Sequence, residues 1–215
     1  MIHKTISLAD QIFDRLESDI LTGIYPKGSI LTELSLSEDL GVSRTPIREA
    51  VRRLEQEHLV ESTSKGIMVL SITLEDAMII YDIRIHAEGL AARACAENIT
   101  KSQLEEMKEL LELQEFYIHK GDSEKVKNID SQFHQRIYQF AGSPVYSDTL
   151  TPLHNKIQKF RKATMTNSSS AEISFAEHKA IFDAISTGDA DAAEAAMRKH
   201  VEKAKLRLAA LQENN

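Results

Sequence analysis

The stretch GVSRTPIREAVRRLE, residues 41–55, sets four arginines into a chain of 215 residues whose formal net charge is −7. Gly41 marks the end of one helix and Ser43 stands at the N-cap of the next. At about 100° per residue, Arg44, Arg48 and Arg52 fall along one stripe with Thr45 beside it. Ile47, Ala50, Val51 and Leu54 occupy the neighbouring face. Pro46 sits in the first turn, where its missing N–H costs nothing. The expected helix, 44–57, buries its apolar side and presents guanidinium groups and two hydroxyls at its N-terminal end.

Working outward, residues 6–21 (ISLADQIFDRLESDIL) place Ile6, Ala9, Phe13, Leu16 and Ile20 at helical spacing and stop at Gly23. Thr32 can cap a short helix carrying Leu36 and Leu40, which ends three residues before the basic helix. Beyond it, LVEST, SKG and IMVLSI read as two strands around a glycine turn. Helix, helix, turn, helix and hairpin compose a winged helix-turn-helix, in which the N-terminal end of the second paired helix meets base edges. Arginine donates twice to guanine O6 and N7, and Ser43 and Thr45 can donate to phosphate beside the helix amides. Lys65-Gly66 at the hairpin tip lets backbone approach a groove. An isolated stripe of three arginines is more often a solvated basic face; the turn before it and the hairpin after it favour recognition.

Residues 1–72 nonetheless hold 8 basic against 11 acidic side chains. DNA binding must therefore rest on local clustering, because a Debye length of about 8 Å hides distant acids from phosphate. The single cysteine, Cys95, excludes an internal disulfide, and no apolar run approaches the roughly 20 residues that span a bilayer. With no basic and apolar leader at its start, a cytoplasmic location is the simplest expectation.

From about residue 73 the pattern is helical, with starts at Thr73, Thr100, Asp122, near Pro144, Ser170 and Asp189 and stops at Gly121, 141–144, 166–170 and 187–189. The fold class expected is mainly α. It comprises a winged helix-turn-helix over 1–72 and an all-helical bundle of about six helices, with a central cavity, over 73–215.

Residues 6–70 resemble the DNA-binding domain of the GntR family of bacterial transcription regulators. The resemblance implies operator contacts by Ser43, Arg44, Thr45 and Arg48, with Glu33 near the start of the preceding helix and Gly66 at the wing. Leu34 stands where some members have an arginine. Arg52 and Lys65 complete the expected DNA-facing set.

In the second half, NIDSQFHQRIYQFAG places Asp130 and His134 four residues apart on one helix face, a spacing that allows both to hold one ion. His178 and His200 lie on two successive helices joined by a short turn, so antiparallel packing can bring them together. Three imidazoles and a carboxylate suit zinc, nickel, manganese or another first-row cation. Taken alone, such an Asp-x3-His pair is usually a surface coincidence. Residues 75–210 resemble the all-helical FCD class of the same family, and that resemblance implies Asp130, His134, His178 and His200 as its metal set. It also likens Arg84 to an arginine facing the effector cavity; an ion pair with Glu88 is an equally weighted alternative. His154 and Arg161 are further pocket candidates, His3, His58 and His119 read as surface, and His86 is undecided. The expected protein is a homodimeric repressor on a palindromic operator, controlled by a small carboxylate beside a divalent metal, zinc foremost. A metal-only sensor and a metal-dependent hydrolase are the alternatives.

Overall fold

A computed structural model describes residues 7–164 and 171–212. The chain divides into two compact units, one running through Asp76 and including Lys159–Thr164, the other comprising Ala77–Gln158 and the part beyond. Among the described residues there are nine helices and one three-stranded sheet.

The first unit opens with α1 (Leu8–Leu21), which starts where Ser7 and Asp10 cap each other reciprocally. Ile6, expected on its apolar face, lies outside the described residues. After β1 (Ile30–Leu31) come α2 (Glu33–Leu40), α3 (Arg44–Gln56), β2 (Val60–Thr63) and β3 (Gly66–Val69). Thr32 caps α2 through the Ser35 amide, and Gly41 ends it in the left-handed conformation, φ 66°. Ile12, Phe13, Leu16 and Ile20 of α1 close over Ile47, Ala50 and Leu54 of α3, with Leu36 of α2 also buried.

Sequence reading missed β1. Two residues carry no periodicity; they become a strand only because Ile30 pairs with Met68 and Leu31 with Ile67, giving the order β1-β3-β2. That pairing also gives Gly66 a structural reason. At φ 133° its backbone passes so close to β1 that a Cβ would lie 2.5 Å from the Leu31 carbonyl oxygen.

The second unit takes up α4 (Leu74–Asn98), α5 (Lys101–Lys120), α6 (Ser123–Phe140), α7 (Pro144–Thr164, up to Gln158), α8 (Ala171–Ser186) and α9 (Ala190–Gln212). Thr100 and Asp122 cap their helices as read from sequence, and the Asp189 carboxylate accepts from the Ala192 amide. Pro144 is the first residue of α7, where no hydrogen bond is lost. Ser170 and 166–170 as a whole belong to residues not described. No helix among the described residues is long and apolar enough to cross a membrane.

α5 packs on α6 and α8, and α8 on α9. α4 and α9 run antiparallel, with Arg93 on Glu194 and Asp191 and Lys205 on Asp82. Gly89 lets them approach; a Cβ there would fall 2.6 Å from Arg198 Cγ. The inward register of α4 is Ala77, Tyr81, Arg84, Glu88, Ala91 and Cys95, so two charged residues occupy core positions. Burial pushes the Cys95 thiol up to about 12, an inert group.

Asp76 receives the backbone N–H and hydroxyl of Thr73 and the Lys27 ammonium, at 3.0, 2.9 and 2.9 Å. The Thr73 backbone bond, then Lys27, lowers its carboxyl from 3.8 to about 2. A depressed carboxylate adds stability that is complete above the unfolded value and lost as pH falls through the folded one. Asp76→Asn is expected to cost about 1 kcal/mol at neutral pH, as loss of a half-exposed cap does. The gap to the parent in denaturant titrations should narrow as pH drops from 5 towards 2.

Candidate nucleic-acid interface and metal centre

On α3, Arg44, Thr45, Arg48 and Arg52 are all exposed along one side, and Ser43 precedes them. Ser43 occupies the N-cap position, yet its side chain makes no capping bond. Arg53, the fourth arginine of the opening stretch, has a different task. It bonds Asp10 at 2.6 Å and lies 4.0 Å over the Phe13 ring, clamping α3 to α1. Lys65 is exposed at the hairpin turn beside Gly66.

Glu33, expected as a DNA contact, accepts from Arg48 Nε with both oxygens, at 2.9 and 2.8 Å. The Arg48 hydrogen bond lowers the Glu33 carboxyl, with a smaller pull from Arg44. Nη1 and Nη2 of Arg48 take no partner among the described residues.

In the second unit the structure gathers Asp130 and His134 from α6, His178 from α8 and His200 from α9. His134, His178 and His200 are at most 4% exposed, and one ligand atom from each lies within 4.8 Å of the others. Each ring is gripped at Nδ1 by an acceptor: His134 by Glu88 at 2.7 Å, His178 by Gln114 Oε1 at 3.0 Å and His200 by Glu177 at 2.8 Å. Carboxylate and amide oxygens only accept, so in the neutral rings Nδ1 carries the proton and Nε2 is a bare lone pair. The Nε2 atoms of His134 and His200 face each other at 3.2 Å. His178 Nε2 is buried without a hydrogen-bond partner, 3.5 Å from Asp130 Oδ1.

Three lone pairs and a carboxylate turned on one point repel unless a cation lies among them. Two nitrogens bound at about 2.1 Å stand about 3.0 Å apart at a right angle and about 3.4 Å apart at the tetrahedral angle. The His134–His200 separation falls between these values. Charge agrees: Glu88 is matched by Arg84, and Glu177 by Lys203 and Arg207, whereas no lysine or arginine among the described residues pairs with Asp130. Burial drives the His178 and His154 imidazoles well below their usual range and lowers His200 too, which keeps these rings neutral. The donor set fits a divalent transition metal. A second convergence, Glu88 with His134 and His154, is less suited, because the Arg84 guanidinium already sits on Glu88.

Arg84 is 5% exposed and donates from Nε to Glu88, so the ion pair weighed from sequence is present. Its Nη2 lies 3.1 Å from His154 Nδ1, and His154 Nε2 faces Ser131 Oγ at 3.2 Å. Arg161 falls within Lys159–Thr164, in the other unit. His58, His86 and His119 are exposed, and His3 lies outside the described residues. Sequence reading passed over Gln114 and Glu177 and took Glu88 only as a partner for Arg84. Gln114 had a signal, continuing the buried register Met107, Leu110, Leu111 of α5.

Comparison with known proteins agrees with both units. Residues 8–69 match the model described as bacterial regulatory proteins, gntR family, and residues 79–203 match the FCD domain. The chain is 29% identical to the transcriptional repressor RspR of Escherichia coli over 203 residues, 94% of this chain and 89% of that protein. It is 30% identical to the transcriptional regulator McbR of Escherichia coli over 151 residues, 70% and 68% of the two chains. Lar of Listeria monocytogenes, described as controlling expression of the agr system, shares the fold at TM-score 0.81 and 19% identity, over 97% of this chain and 100% of that one. With its winged helix-turn-helix followed by an FCD domain, the chain belongs to the GntR family of bacterial transcriptional regulators.

Proposed function

We propose that this regulator is a homodimeric, effector-controlled repressor that binds a palindromic operator. Residues 1–72 bind the DNA, with Arg44 and Arg48 reading bases and Ser43, Thr45, Arg52 and the wing residues Lys65 and Gly66 holding the backbone. One α3 spans too few base pairs for selectivity, and a two-fold pair supplies the second half-site. Residues 73–215 hold a divalent metal, zinc foremost and nickel or manganese next, on Asp130, His134, His178 and His200. A small carboxylate binds beside it, with Arg84 and His154 at its other end, and changes operator affinity through differential binding to two conformers. The observation that carries this is the convergence of three Nε2 lone pairs whose Nδ1 atoms are already held.

The test is elemental analysis and mass spectrometry of purified protein, followed by operator titration with each retained species. One equivalent of metal per chain, and an acid that shifts operator affinity, are expected. A protein that takes up no metal, or operator affinity blind to every acid, would sink the respective half. A metal-only sensor has one observation in its favour: Arg84 is already neutralised by Glu88. Metal alone switching operator release would establish that reading.

A further inference from the structure

We propose that Glu88 is the positioning residue that prepares His134 to bind the metal, and that it couples this ligand to Arg84. The inference rests on the metal reading above. Glu88 is 0% exposed at the middle of α4, a place where an ionised carboxylate survives only if both oxygens are engaged. They are: Oε1 takes the Arg84 Nε hydrogen and Oε2 takes His134 Nδ1 at 2.7 Å. With the Arg84 guanidinium on one oxygen and a ring nitrogen on the other, the group is an acceptor. In a neutral ring, an acceptor at Nδ1 admits only the Nδ1–H tautomer and therefore a bare Nε2, the atom turned on His200. Gln114 and Glu177 perform the same service for the other two rings, but neither bonds a side chain at the candidate effector site.

The coupling follows from the two-sided bond. Whatever draws Arg84 away from Oε1 alters the charge and orientation of the carboxylate that fixes His134. An anion bound at Arg84 thus reaches the metal ligand through one buried group, with no need for the metal and the anion to touch.

The experiment uses the full chain and zinc alone. In metal-free protein, nitrogen-15 shifts should show His134 protonated at Nδ1. A proton on Nε2 would overturn the proposal whether or not metal binds. Glu88→Gln, whose amide donates as readily as it accepts, should mix the two tautomers and weaken zinc binding roughly 10- to 100-fold. Since that variant leaves the Arg84 charge buried, the neutral pair Arg84→Gln with Glu88→Gln is measured beside it and should lose as much. Parental zinc affinity in whichever variant folds overturns the proposal. If the parent binds no zinc, the metal reading fails while the His134 tautomer still decides the role of Glu88.

Discussion

Replacing His178 by alanine is expected to weaken zinc binding by more than the roughly 100-fold that losing an outer partner costs. The reason is geometric. His178 Nε2 is the one ring nitrogen of the cluster with no hydrogen-bond partner, and it stands against Asp130, so its removal takes away both a donor and the alignment of that carboxylate. Stability provides the second readout. A metal that binds only the folded chain stabilises it by about 4 kcal/mol at a thousand times its dissociation constant. The parent should therefore melt higher with zinc than with chelator, and His178→Ala should melt alike in both. His178 also stacks on Phe133 at 4.6 Å, so the variant will be less stable than the chelated parent. Only the difference between the zinc and chelator melts tests the assignment. A variant retaining the zinc shift would remove His178 from the metal set.

The second large effect is on DNA. Arg48→Ala is expected to lose about 1 to 3 kcal/mol of operator binding, some 5- to 150-fold, and to relax selectivity at one base position. Arg52, farther along the exposed stripe, should behave differently. Its loss should weaken all sequences alike and lower the salt dependence by about one charge. Arg53→Ala should leave affinity for DNA intact and lower stability, because its partners are Asp10 and Phe13. Operator and scrambled duplexes titrated at several salt concentrations separate the three. Equal operator affinity for Arg48→Ala and the parent would show that α3 is not the reading helix.

What was legible in the sequence was what a few neighbouring residues decide. Thr32, Gly41, Thr100 and Asp122 announce helix ends because a cap is a bond across three or four residues. The stripe of α3 was legible for the same reason. β1 was hidden because Ile30 and Leu31 are a strand only by virtue of β3. The four residues expected as metal ligands lie near one another, but their outer partners span 46, 64 and 23 positions of chain, and no spacing rule reaches that far. Glu33 and Arg161 show the complementary limit. A motif names a residue without saying that Glu33 has a partner 15 positions away or that Arg161 falls in the other unit.

The bond between Glu33 and Arg48 bears on how the protein meets DNA. A free arginine samples many rotamers and gives up about 2 kcal/mol of side-chain entropy when a base immobilises it. Here Glu33 grips the side chain at Nε, while the two terminal amino groups, the pair that spans guanine O6 and N7, stay open. Much of the ordering has taken place before the duplex arrives. Calorimetry of Glu33→Ala on the operator should therefore show a more unfavourable binding entropy. If Arg48 reads a base, it would approach it already aimed.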